Sequence, residues 1–314
     1  MYRQLILFII LLQVTACADR HENKIHSFHK TIDTQHKNKM GISIYYQKEN
    51  TIKPTLYFLA ASTSDRRSYE HIYHYLANKG YVVVGLSTEG FASDFMSYHF
   101  YDAISYARRV CKKKGLSDDK QIGLIGHSSG AGVLPSLAYK LFTEDKLGED
   151  GRFIFGASPW IDFQFKNFMK LPKDTNFVTQ LFEDDHSTDP RIYLDIYKLM
   201  DVNHKTFMMV KQGGNHQTPF YDKPKELVQK GVYEPIENLA SFTFFKKDKE
   251  KIFSSKKIIT DYVDIEAEGT LPSNKDYKQM LNAFIRSRSS FGCKPTSNYA
   301  PNPREKECLN YQNR

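Results

Sequence analysis

Residues 121–132 read Gln-Ile-Gly-Leu-Ile-Gly-His-Ser-Ser-Gly-Ala-Gly. The apolar run Ile122–Ile125 is short enough for a buried strand, and it ends on two glycines that bracket a serine. Gly126-His127-Ser128-Ser129-Gly130 fits the pattern Gly-x-Ser-x-Gly, in which a strand turns sharply into a helix and leaves one hydroxyl at the apex. Small residues on both sides let strand and helix pack closely and tolerate unusual dihedrals. Short Gly/Ser patterns also arise by chance, so the rest of the chain decides how this segment is read.

Strand-like and helix-like patterns alternate on either side of it. Ile42–Tyr46 alternates like a half-exposed strand, and Thr55–Ala60 is a continuous apolar run, as in a strand buried on both faces. Residues 67–79 carry Tyr69, Ile72, Tyr73 and Leu76 at helical spacing and stop at Lys79-Gly80. Tyr81–Leu86 is another buried strand. The pattern continues with a helix over Tyr101–Lys113, the strand Ile122–Ile125, the serine turn, and a helix through Phe142. Phe153–Phe155 and Phe177–Phe182 read as strands, Asp189-Pro190 opens a helix, and Thr206–Val210 reads as the last strand. This order predicts an α/β fold, a mostly parallel central sheet with helices on both faces. Such sheets place their chemistry beyond the carboxyl ends of the strands. Ser128, the cluster Glu183-Asp184-Asp185-His186, and Gly213-Gly214-Asn215-His216 all fall at such ends.

The 314 residues, 40% hydrophobic and 25% charged, suit one large α/β domain with extensions, or two small ones. The net charge of +8 is dispersed, with no block of like charge and no nucleic-acid motif, so no nucleic-acid partner is expected. His21, His26, His29 and His36 lie in the polar segment 18–40, where no pattern brings the imidazoles together, and no metal site is expected. Cys111 sits in a helical run and reads as a small core residue.

At the N-terminus, Arg3 precedes the apolar run Leu5–Leu12, which is too short to span a bilayer and suits a secretory signal. Val14-Thr15-Ala16-Cys17 then resembles the lipobox of bacterial lipoproteins, which implies a lipid on Cys17. With Ala18 following, the resemblance implies the periplasmic face of an outer membrane, an ordinary secreted protein being the alternative. The expected organisation is a signal peptide (1–16), a lipidated polar tether (17–40), an α/β domain (41–256) and an extension (257–314). Cys293 and Cys308 lie in the Pro/Asn/Ser-rich tail of a chain expected to be exported, where a disulfide is expected.

Four stretches together resemble the α/β-hydrolase family over roughly residues 41–256. They are Tyr75–Val84, the serine turn, Phe182-Glu183-Asp184-Asp185-His186 and Gly213-Gly214-Asn215-His216. The dienelactone-hydrolase-like and polyester-hydrolase/platelet-activating-factor-acetylhydrolase-like branches look most similar. The resemblance implies a nucleophile at Ser128, a base at His216 and an acid at Asp185, in the family's chain order, with Asp184 and Asp189 as alternative acids. It implies an oxyanion hole formed by the backbone N–H of Ser129 and of Ala61, or of Ser62 instead. Ala60-Ala61 stands where many members have His-Gly. Trp160 stands where one branch lines its substrate cleft with tryptophan. The implied activity is cleavage of small or polymeric carboxylic esters by a monomer without cofactor. A peptidase on the same fold and a non-catalytic binding lipoprotein are the alternatives.

Overall fold

A computed structural model of the chain describes residues 24–48, 51–88, 96–160, 170–220 and 225–271. Along them run β1 (Ile25–Asp33), β2 (Lys39–Gln47), β3 (Thr55–Leu59), α1 (Glu70–Asn78), β4 (Val82–Thr88), α2 (Met96–Lys113) and β5 (Gln121–His127). These are followed by α3 (Ser129–Gly132), α4 (Leu134–Ala138), β6 (Gly151–Ala157), β7 (Asn176–Phe182), α5 (Pro190–Leu199) and β8 (His204–Val210). Last come α6 (Lys225–Val228), α7 (Glu234–Phe245), α8 (Lys249–Ile252), β9 (Ile258–Ile259) and β10 (Val263–Glu266).

The strands form one ten-stranded sheet in the order β1-β2-β4-β3-β5-β6-β7-β8-β10-β9. Its middle, from β4 to β8, is parallel throughout. The margins are antiparallel: β1 on β2, β2 on β4, β10 on β8, and β9 on β10. The sheet is therefore mixed, and Thr206–Val210 is not its last strand.

Alternation along the buried strands sends successive side chains to opposite faces. In β3, Tyr57 and Leu59 pack on the face covered by Phe100 and Ile104 of α2, Leu137 of α4 and Tyr197 of α5. Leu56 and Phe58 pack on the face covered by Tyr73 and Leu76 of α1 and Ile236 and Leu239 of α7. Helices cover both faces, as the apolar runs require.

Two expected boundaries need correction. The polar segment ending at residue 40 is not all tether, because its residues 25–33 form β1, in register with β2 from Ile25↔Gln47 to Asp33↔Lys39. His26 stacks on Tyr46 with ring centroids 5.7 Å apart, and His29 bonds Ser43 Oγ through Nδ1 at 3.1 Å. The polar residues that hide this strand from a pattern search suit an exposed sheet edge. Beyond residue 256, β9 and β10 extend the sheet, with Val263 and Ile265 buried against β8. The expected helix through Phe142 is also interrupted. It breaks at Val133, restarts with Pro135 in the first turn of α4, and ends in a π-helical turn over Tyr139–Glu144. Proline fits a first turn because its missing N–H has no partner there in any case.

Candidate active site

The parallel strands β3, β5, β6, β7 and β8 lie side by side, so their carboxyl ends open on one rim. The loops leaving that rim begin at Ala60, Ser128, Ser158, Glu183 and Lys211.

Ser128 follows β5 with φ 54° and ψ −123°, a conformation costly for any residue with a side chain. Its N–H donates to Ala157 O at 3.0 Å, while its own carbonyl accepts from Gly132 N–H at 2.9 Å and Trp160 N–H at 2.8 Å. The flanking glycines make the turn sterically possible. A Cβ on Gly126 would sit 2.7 Å from backbone atoms of Gly130 and Ala131, and one on Gly130 would lie 2.3 Å from Leu59 O. Gly130 thus lets the start of α3 press against the end of β3.

His216 is carried on a loop where Gln212 and Gly213 both take positive φ, 56° and 76°, which reverses the chain just after β8. The turn is closed by Thr218 N–H donating to Asn215 O at 2.9 Å. The acid loop is fastened to β8 and its loop by Glu183 N–H on Val210 O and Asp184 N–H on Gly214 O, each 2.8 Å.

Together these loops place Ser128 Oγ 3.0 Å from His216 Nε2, and His216 Nδ1 2.9 Å from Asp185 Oδ2. Of the three candidate acids, only Asp185 meets the histidine. Asp184 is exposed, and Asp189 caps α5 by accepting from Arg191 N–H at 3.0 Å, with its carboxylate paired to the Arg191 guanidinium at 2.7 Å.

Asp185 is 4% exposed. Its Oδ1 accepts from Ser187 N–H at 2.6 Å and Thr188 N–H at 3.3 Å, and its Oδ2 from Thr188 Oγ1 at 3.2 Å and from the Ser158 hydroxyl. Burial pushes the carboxyl up, but the hydrogen bond and charge of His216, with the Ser158 and Ser187 donors, outweigh it and bring it down to about 2. The group is a carboxylate at neutral pH.

His127 is fully buried beneath this site. Its Nδ1 lies 2.7 Å from Tyr69 Oη, and its ring packs 4.7 Å from that of His216, centroid to centroid. Burial, and next the neighbouring His216, hold it neutral, well below the usual histidine range.

The oxyanion expectation divides. Ser129 N–H stands at the start of α3, as expected. Ala61 N–H is engaged elsewhere: it donates to Tyr69 Oη at 3.2 Å, inside the core. The reason is tertiary, because the 3₁₀ turn Arg66–Tyr69, which leads into α1, brings Tyr69 under the loop after β3. Ser62, one residue on, is half-buried; its N–H donates to Ser129 Oγ at 2.7 Å, and its Oγ lies 2.7 Å from the same oxygen. Trp160 is half-buried and tied by its N–H to Ser128 O, so it lies beside the serine.

Sequence reasoning passed over Ser158, Ser187 and Thr188. The one signal for Ser158 was positional, as the residue leaving a strand next to β5. Cys111 is a buried free thiol, pushed up to about 12 by burial. Among the described residues, no helix is long and apolar enough to cross a membrane. Cys17, Cys293 and Cys308 lie outside the described residues. Compared with known proteins, the chain matches no protein-family model and no curated protein.

Proposed function

We propose that this chain is a serine hydrolase of the α/β-hydrolase kind that cleaves carboxylic esters through an acyl-enzyme. The observation that carries the reading is the unbroken path Ser128 Oγ, His216 Nε2, His216 Nδ1, Asp185 Oδ2, with links of 3.0 and 2.9 Å, on a serine held in a strained turn.

A serine hydroxyl is a weak nucleophile without an adjacent base. In this reading His216 Nε2 takes the Ser128 proton as Oγ attacks the ester carbonyl carbon, and Asp185 stabilises the imidazolium that forms. The carbonyl oxygen becomes an oxyanion facing Ser129 N–H, and Ser62 N–H becomes the second donor once it releases its bond to Ser129 Oγ. His216 then returns the proton to the leaving alkoxide, which departs as the alcohol. Water repeats the sequence on the acyl-enzyme and releases the acid. The residues named need no cofactor for these steps.

The test is labelling by a fluorophosphonate together with turnover of p-nitrophenyl esters. Ser128→Ala and His216→Ala are expected to lower turnover by roughly 10⁴–10⁶-fold with folding intact. Loss of less than tenfold in Ser128→Ala would refute the assignment. The engaged Ala61 N–H favours a second reading, a non-catalytic binding protein on the same fold. Absence of labelling in the wild-type protein would select it.

We also propose export with a lipid on Cys17. Cys17→Ser should then release the protein from membranes, because the acyl chains supply about 0.8 kcal/mol per buried CH₂. Mass spectrometry of the mature N-terminus reads the modification directly.

A further inference from the structure

Ser158 stands out among the buried residues that the proposed chemistry leaves unused. It is fully buried and adopts φ 43°, in the left-handed region that side chains disfavour. Its N–H is fastened to Gln180 O at 2.7 Å. Alanine would fill the same space without a buried hydroxyl to satisfy, so packing alone does not call for serine here.

The hydroxyl touches three groups. It donates to Asp185 Oδ2, lies 2.9 Å from Thr188 Oγ1, and lies 3.2 Å from His216 Nδ1. A hydroxyl has one proton, and the carboxylate, an acceptor only, is its natural recipient. The lone pairs of Oγ then face the Nδ1–H of His216. That N–H sits between two acceptors, Asp185 Oδ2 at 2.9 Å and Ser158 Oγ at 3.2 Å. Both favour the tautomer that leaves Nε2 free to take a proton from Ser128.

We propose that Ser158 is a positioning residue: its hydroxyl binds Asp185 and the Nδ1 edge of His216 into one cluster and sets how strongly the carboxylate pairs with the imidazolium. The inference rests on the hydrolase reading given above. Each donor on Oδ2 takes up part of the carboxylate charge and makes it a weaker partner for His216⁺. Without the Ser158 hydroxyl, Asp185 Oδ2 keeps more of its charge for the imidazolium.

Among the described residues, Thr188 Oγ1 also donates to Asp185 Oδ2 at 3.2 Å and is kept in any Ser158 variant, while the other titratable groups around His216 are neutral, exposed or paired. His127 packs on its ring and is held neutral. Glu183, Asp184 and His186 on the acid loop are exposed, and Asp189 is paired with Arg191. On the histidine's own loop Lys211 is paired with Asp264 at 2.7 Å, and on α1 His71 is bonded to Tyr233 Oη at 2.6 Å.

The experiment compares wild type, Ser158→Ala and Ser158→Gly. It measures the pH dependence, from pH 5 to 9, of Ser128 labelling by a fluorophosphonate and of kcat and KM for p-nitrophenyl acetate. Both variants remove the hydroxyl, while glycine also relieves the positive φ and covers the case in which alanine fails to fold. Both are expected to lose roughly tenfold in kcat with KM little changed. Their acid limb should move to higher pH by about half a unit or more. An unmoved limb would overturn the inference, as would a glycine variant with wild-type rate and profile. Labelling that persists in Ser128→Ala would overturn the hydrolase reading itself. Labelling confined to Ser128 and indifferent to Ser158 would overturn this inference alone.

Discussion

The backbone N–H of Asp184 donates to the carbonyl of Gly214 at 2.8 Å, and this bond ties the loop of the candidate acid to the loop of the candidate base. Neither residue carries chemistry in the proposed mechanism. Together they set where Asp185 and His216 meet, since each is the chain neighbour, or nearly so, of a residue that does.

That relationship separates the three acids. Asp185→Asn is expected to lower kcat by roughly 10³–10⁴-fold, because the amide presents a donor where His216 Nδ1 needs an acceptor. Asp184→Asn keeps its backbone bond and should remain within about threefold of wild type, as surface changes do. Asp189→Asn keeps a capping side chain but loses its ion pair with Arg191, so a modest drop in melting temperature is expected with activity retained. A severe kinetic loss in Asp189→Asn would point to a different acid.

Gly130→Ala should be harmful although Gly130 carries no chemistry in the proposed mechanism. Its Cβ would meet Leu59 O at 2.3 Å and Ala60 O at 2.6 Å, and backbone cannot rotate away as a side chain can. The start of α3 must shift, at a cost of about 1–3 kcal/mol in stability, and Ser129 shifts with it. Urea denaturation and ester turnover should fall together. Wild-type values for both would show that α3 does not press on β3 as described.

Two buried groups give stability two separate acid limbs. The folded-state pKa of His127 lies well below its unfolded value, so between the two only the unfolded chain binds the proton. Its contribution is full above pH ~6.5 and declines as pH falls below that, by up to about 1.4 kcal/mol per pH unit. Asp185, brought down to about 2, contributes stability that is full above its unfolded value near ~3.9 and is lost as pH falls through about 2. Denaturation midpoints between pH 7 and 5 should flatten in His127→Gln. The loss below pH 4 should be smaller in Asp185→Asn. Unchanged slopes in these variants would contradict the burial argument.

Truncation after Lys256 removes β9 and β10 and bares the edge of β8. The loss includes the buried side chains Val263 and Ile265, each worth about 1.5–3 kcal/mol of burial, and the bond from Lys211 N–H to Tyr262 O at 2.8 Å. A large drop in melting temperature or outright aggregation is expected. A truncated chain as stable as the full one would return the domain boundary to residue 256.

Much of the central sheet was legible in the chain because burial on both faces leaves a strong local mark. Thr55–Leu59 and Val82–Leu86 are nearly unbroken apolar runs, Phe177–Phe182 is apolar but for Thr179 and Gln180, and each is a strand of the parallel middle. The margins left weaker marks. In β1 only Ile25, Phe28 and Ile32 are apolar, at irregular spacing, because an edge strand with exposed faces needs little more. The two-residue β9 and four-residue β10 are too short for any period to show.

The sequence by itself determined the strained serine turn, since Gly126 and Gly130 are local requirements of the close approach around Ser128. It also determined the order of serine, acid and histidine along the chain. Tertiary structure decided which carboxylate meets the imidazole, because adjacent aspartates differ only in which one a loop turns inward. It decided that Ala61 N–H goes to Tyr69 and leaves Ser62 facing Ser129. It also brought Ser158 to Asp185 and His216, from loops 27 and 58 residues away. Hydrogen bonds of this kind depend on which strands are neighbours in the sheet, and neighbouring strands need not be neighbours in the chain.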